Sequence, residues 1–190
     1  VALNQIDVLL ESDDLTQINY QEISQIRDTL KRMSTLNQSL LMLSKIENQQ
    51  FKDKEEVVFN DVVKTMISDF SSILEFKSIE LDLIENGEFK TIINKDLAYS
   101  LLSNLFKNAI KHNTNNGKII IELDNHSLKI KNNSNRKTPL NSRDIFNRFY
   151  KESGDQLSTG LGLSIVKTIV DHHSNINIYY KSNCSWIGSI

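Results

Sequence analysis

Turn-forming residues are scarce in this chain of 190 residues, which has six Gly and one Pro, about 4% together, where average usage is roughly 12%. That scarcity excludes a loop-rich or collagen-like chain and predicts that long helices dominate. The single cysteine, Cys184, excludes an internal disulfide and fits a small buried hydrophobe in a reducing compartment. No apolar run approaches the roughly 18 residues needed to cross a bilayer, so no direct membrane contact is expected. A charge of one sign is also missing: 22 Lys plus Arg oppose 24 Asp plus Glu, a net charge of −2. Without a basic cluster there is no electrostatic footprint for nucleic acid. What is present is ample apolar material, 39% of the chain, enough for one domain or two small ones. The first residue, Val1, already lies inside a periodic apolar pattern, so the chain is expected to be part of a longer protein.

The pattern divides near residues 48–56. Before that point no Gly or Pro occurs, and Val1, Leu3, Ile6, Leu9 and Leu10 recur at helical spacing up to a polar break at residues 11–14. From residue 15 to about 47, the series Ile23, Ile26, Leu30, Met33 and then Leu36, Leu40, Leu43 makes a narrow seam, as in a coiled coil with a stammer. One such stripe is not stable alone, so the two helices are expected to form a hairpin that dimerises into a four-helix bundle. Beyond the hinge the periods mix. Strands are expected at 57–59, 79–84, 91–93, 118–123, 127–131, 176–180 and 185–190, and a helix capped by Asn60 or Asp61 up to Leu74. Two more helices are expected at 95–112 and 160–172, with a short aromatic one inside the polar stretch 132–159. The fold class is α+β: a helical hairpin at residues 1–50, then an α/β sandwich with a mixed sheet and three main helices at residues 51–190.

Two places carry candidate chemistry. On the 95–112 helix, a 100° advance per residue puts Asn104, Asn108, Lys111 and His112 along the border of the buried face, beside Leu105 and Ala109. Asn favours caps and turns over helix interiors, so two amides one turn apart are either a solvated shoulder or a magnesium and phosphate site. Amide oxygen is a hard ligand for Mg²⁺, and Lys111 supplies a point charge. The second place is 158–164, STGLGLS, opening an apolar helix. Free N-H groups at a helix start attract phosphate, although a plain helix start packed closely on a strand fits as well. A dinucleotide fingerprint does not, because no strand directly precedes these glycines.

In order, NLFKNAIKH (104–112), IFNRFYK (145–151) and STGLGLSIVK (158–167) resemble the N box, F box and second glycine box of the sensor histidine kinases, in the GHKL or Bergerat ATPase superfamily. The resemblance spans roughly residues 61–190. It implies a Bergerat-type domain that binds ATP and Mg²⁺, with Asn108 as the metal ligand, Asn104 its neighbour, Lys111 on phosphate and His112 lining the nucleotide. Gly160, Leu161, Gly162 and Leu163 would give main-chain contacts to phosphate. Phe146, Phe149 and Tyr150 would anchor a lid over residues 135–159, with Arg148, Tyr150 or Lys151 near the nucleotide. Where the family's first glycine box carries Asp-x-Gly-x-Gly, this chain reads NNSNR (132–136). Asn132 would there accept from the adenine amino group without bringing a charge.

The resemblance further implies transfer of the γ-phosphoryl group to a histidine and then to an Asp of a response regulator receiver domain. The four histidines are His112, His126, His172 and His173, so no acceptor lies on the helical hairpin. In the family's arrangement it belongs two to three turns upstream of Val1. His172 and His173 read as helix C-terminal residues favoured by the dipole. The parent protein is expected to be anchored in a bacterial inner membrane with this portion in the cytoplasm. The altered first glycine box sets a second reading beside the kinase, a nucleotide-binding-impaired pseudokinase or dimerising interaction module. A repair or topoisomerase ATPase fits less well, since those carry Glu at the position of Asn104.

Overall fold

The computed structural model describes residues 2–10, 17–134, 144–151, 158–181 and 185–187. The Gly- and Pro-free first quarter folds as α1 (Ala2–Leu10) and α2 (Gln17–Glu47), which pack on one another; the expected break at 11–14 lies outside the described residues. Ile26, Met33 and Leu40 of α2 are 53%, 61% and 41% exposed, whereas Leu43 and Ile46 are buried in the main core. The seam expected to continue through Leu36, Leu40 and Leu43 therefore divides. At 100° per residue Leu43 stands about 60° from Leu40, and this turns it with Leu36 onto the core, where α2 meets a helix from the far end of the chain.

The rest is a sheet backed by helices. In order come β1 (Glu55–Val58), α3 (Phe59–Asp69), α4 (Ser71–Phe76), β2 (Glu80–Glu85), β3 (Lys90–Ile93) and α5 (Lys95–Lys111). They are followed by β4 (Lys118–Leu123), β5 (Leu128–Asn132), α6 (Gly162–Asp171), β6 (Tyr179–Lys181) and β7 (Ser185–Ile187). Among the described residues the main sheet runs β2-β4-β5-β7-β6, with β2 parallel to β4 and the other neighbours antiparallel. β1 and β3 make a separate antiparallel pair. Alternation sets the buried face: Ile119, Ile121 and Leu123 on β4, with Leu128, Ile130 and Asn132 on β5. The same core holds Leu101, Leu102, Leu105 and Phe106 of α5 and Ile165, Val166 and Ile169 of α6. The α+β class and the mixed sheet with three main helices are as the sequence predicts.

Local readings differ in four places. The helix expected up to Leu74 breaks at Phe70 into α3 and α4. Asn60 and Asp61 are not its cap: Val58 holds that position without a side-chain bond. Asn60 is buried instead, donating to Glu85 Oε1 (2.7 Å) and the Gly87 carbonyl (3.1 Å) and accepting from Phe89 N-H (3.1 Å). Satisfying three groups around the β2-β3 turn outweighs one exposed cap bond. The aromatic stretch at 144–149 forms successive turns, closed by Asn147 N-H to Asp144 O and Tyr150 N-H to Asn147 O, rather than a helix. The strand expected at 176–180 begins only at Tyr179, since Ile176 turns back on His173 and enters the core. Cys184 lies outside the described residues.

His172 and His173 do end α6, with Nδ1 of each on the carbonyl four residues back, Thr168 (2.9 Å) and Ile169 (2.7 Å). His173 is buried, its Nε2 without a partner. Burial, with repulsion from Lys54 and His172, holds its pKa below the ordinary 6.5 against the pull of the Ile169 carbonyl. The unfolded chain therefore binds the proton more tightly, so stability is full above about pH 6.5 and falls as pH drops below it, by at most about 1.4 kcal/mol per pH unit. Urea melts at about pH 7.5 and about pH 5 should show a smaller acid loss for His173→Gln than for the wild type. Equal losses would assign the acid sensitivity elsewhere.

Candidate functional site

The site is built on α5. Asn94 caps it, its Oδ1 accepting from Asp96 N-H (3.0 Å) and Leu97 N-H (3.3 Å), and the apolar face fixes its rotation on the sheet. That rotation leaves Asn104 and Asn108 half-buried at the edge of the core. Asn104 Nδ2 donates to the Ser100 carbonyl (2.8 Å), which turns Oδ1 toward the start of α6. There, a Cβ on Gly162 would stand 3.0 Å from that oxygen. The Asn108 amide makes no side-chain hydrogen bond among the described residues.

Two left-handed residues shape the opposite wall. Gly160 has φ +70° and Phe149 φ +62°, and Phe149 N-H donates to the Gly160 carbonyl at 2.9 Å. A Cβ on Gly160 would lie 2.8 Å from the Phe149 backbone. Gly160 therefore cannot belong to the helix, which starts at Gly162 rather than at the expected Gly160. Phe146 and Tyr150 pack against the core, while Phe149, expected as a lid anchor, is 56% exposed because its left-handed backbone turns the ring outward. Residues 135–143 and 152–157 of the expected lid lie outside the described residues.

Between these walls and α2 is a cavity of about 1130 Å³. Of the residues expected at the nucleotide, Asn104, Asn108, Lys111, His112, Tyr150, Lys151, Gly160, Gly162 and Leu163 line it. Three do not. Leu161 is a core side chain, Arg148 pairs with Glu47 at the end of α2, and Asn132 is buried at the end of β5. The Asn132 Nδ2 donates to the Asn133 carbonyl (2.9 Å) and toward that of His112 (3.4 Å), leaving Oδ1 buried without a partner. Sequence reasoning missed the wall that α2 supplies, with Asp28, Arg32, Thr35 and Ser39, and missed Lys107. Their signal is a polar face on α2, legible only once the docking of that helix is known.

A sheet backed by three helices, with a cavity between an amide-bearing helix and a Gly-x-Gly helix start, defines a Bergerat-type ATPase domain. Residues 93–185 match the family described as histidine kinase-, DNA gyrase B-, and HSP90-like ATPase. The heme sensor protein HssS of Staphylococcus aureus strain Newman is 32% identical over 92% of this chain and 39% of its own length. The chain thus spans about two fifths of that curated relative. The Acinetobacter baumannii histidine kinase AdeS superposes with a TM-score of 0.65 at 22% identity, over 98% of this chain and 90% of that one. Histidine kinase ThkA, in complex with the response regulator TrrA, gives a TM-score of 0.62 at 18% identity, covering 98% and 54%. Residues 93–185 thus carry an ATPase domain of the histidine kinase type, and the chain is similar to sensor histidine kinases over most of its length.

Proposed function

We propose that this chain binds Mg-ATP in the cavity between α2 and α5 and serves as the catalytic part of a two-component sensor kinase. The observation that carries this reading is the convergence of Asn104, Asn108, Lys111, Gly160 and Gly162 on one cavity. Among the described residues no group of three or more His, Cys, Asp or Glu could hold a metal ion. The donor set suits Mg²⁺ all the same, because that ion takes few protein oxygens and shares phosphate oxygens and water. Asn108 would hold it, and when bound it neutralises charge developing on the transferred phosphoryl group. Lys111 steadies the phosphates as a fixed cation, the N-H groups around Gly160 to Leu163 cradle them, and His112 and Tyr150 flank the nucleotide. Asn132, expected on the adenine amino group, is buried behind His112 with its Oδ1 unpartnered and does not line the cavity.

The reaction moves the γ-phosphoryl group from its bridging oxygen to an imidazole nitrogen and releases ADP. No histidine precedes His112 in this chain, so the acceptor is proposed to lie upstream of Val1, and the fragment alone does not autophosphorylate. The phosphoryl group then passes to an Asp of a receiver domain, a partner class supported by the complex of ThkA with its response regulator. Residues 1–50 are proposed as the dimerisation and phosphotransfer helices and 51–190 as the ATP-binding domain. The exposed Ile26, Met33 and Leu40 are the stripe that a second copy covers. No helix among the described residues is long and apolar enough to cross a membrane; membrane anchoring is proposed for the parent, with this portion cytoplasmic.

The position of Asn132 behind His112, away from the cavity wall, favours the second reading, an interaction module with impaired nucleotide binding. Thermal melting decides between them. Mg-ATP at about 100 times its Kd adds about 2.7 kcal/mol to stability, which raises Tm by roughly 5–10 °C for a chain of this size. No shift at millimolar Mg-ATP would sink the kinase reading and support the second.

A further inference from the structure

The charge of the cavity is opposite to that of the chain. Among the described residues its lining carries five cations, Lys31, Arg32, Lys107, Lys111 and Lys151, against one carboxylate, Asp28, in a chain of net charge −2. Two of the cations come from α2 and two from α5, so positive charge stands on both sides of the space. Such a concentration calls for a polyanion. Asp28 does not neutralise the α2 side, since its Oδ1 is paired with Arg27 Nε at 3.4 Å.

The rotation of α2 singles out one residue. At 100° per residue, Asp28, Arg32, Thr35 and Ser39 centre on a line about 130° around the helix from Ile26, Met33 and Leu40. Arg32 stands about 30° from the centre of the cavity-facing line and Lys31 about 70° from it. The Arg32 guanidinium has no ion pair or hydrogen bond to any described residue. A planar fork of N-H donors fits phosphate bidentately, and the hydroxyls of Thr35 and Ser39 line the wall beside it.

We propose that Arg32, on the bundle helix, binds the terminal phosphate of the nucleotide from the side opposite Asn108 and Lys111. This inference rests on the ATP-binding reading above. The adenine end is assigned to His112, on the catalytic domain, and the triphosphate is the anionic end. The terminal phosphate carries the most charge, and it is what ATP has and ADP lacks. The nucleotide is then gripped by two parts of the chain at once, and loss of the γ-phosphate releases α2.

Calorimetric titration of Mg-ATP and Mg-ADP into the wild type, Arg32→Ala and Arg32→Lys tests this. Ala at an exposed helix position is a good helix former, so the melting temperature without nucleotide should hold. Removing a charge-assisted contact should weaken Mg-ATP by roughly 10-fold while Mg-ADP stays within about 2-fold, with the Lys variant between. Arg32→Ala binding ATP as tightly as the wild type, or losing ATP and ADP affinity equally, overturns the assignment. A wild type that binds neither nucleotide overturns the ATP-binding reading and this inference with it; a wild type that binds both, with an unchanged ratio in Arg32→Ala, overturns this inference alone.

Discussion

Asn108→Ala should lower Mg-ATP affinity by about 100-fold or more while leaving the melting temperature of the nucleotide-free protein within a degree or two. The two halves of that expectation have separate causes. The Asn108 side chain is half-buried and makes no hydrogen bond to a described residue, so its removal unpairs nothing in the fold, and Ala is the better helix former. Its proposed work lies entirely with the metal-bound nucleotide. Even groups that only orient a metal ligand cost 10- to 100-fold in metal affinity when removed, so a direct ligand should cost at least as much. Calorimetry with magnesium, and again with a chelator, is the measurement: the variant should approach the affinity that the wild type shows without the ion. Asn108→Asp keeps a hard oxygen and should retain part of the magnesium dependence. An alanine variant within about 3-fold of the wild type in magnesium would remove Asn108 from the metal.

The two glycines before and at the start of α6 should respond oppositely to the same substitution. Gly160 has φ +70° and its missing Cβ would press on the Phe149 backbone at 2.8 Å and the Tyr150 carbonyl at 2.9 Å. The left-handed conformation costs a non-Gly residue about 1–2 kcal/mol, and backbone atoms cannot step aside. Gly160→Ala should therefore lose about 2 kcal/mol or more and lower Tm by roughly 4–8 °C. At Gly162 the nearest obstacle is the Oδ1 of Asn104 at 3.0 Å, the end of a side chain. Gly162→Ala should barely change Tm but should shift Asn104 and weaken nucleotide binding. Melting curves and titrations of both variants check the contrast; equal loss of stability in the two would refute it.

How much of this was legible in the sequence depends on how local each signal is. The α5 site was, because helical phase relative to Leu105 and Ala109 already places Asn104 and Asn108 beside the core. The β4-β5 hairpin was, because Asp124 accepts from His126 N-H (2.8 Å) and Ser127 N-H (2.7 Å) within four residues. Asn60 was misread as a cap because its three partners lie 25 to 29 residues away. Asn132 opens the polar stretch 132–159 in the sequence, yet it continues the buried alternation of Leu128 and Ile130; period two was a signal that a polar residue concealed. The cations of α2 were out of reach altogether, since a polar helix face reads as solvated until its neighbour is known.

The two faces of α2 have a mechanical corollary. A rigid helix cannot turn one side without turning the other, so any twist that the proposed second copy imposes at Ile26 and Met33 is delivered undiminished to Arg32 and Ser39. Inserting one residue between Gln17 and Ile23 would turn the start of α2 by about 100° relative to everything after it, and deleting one would turn it by as much in the opposite sense. The helix is in that sense a driveshaft: what happens at the bundle is read at the cavity as an angle.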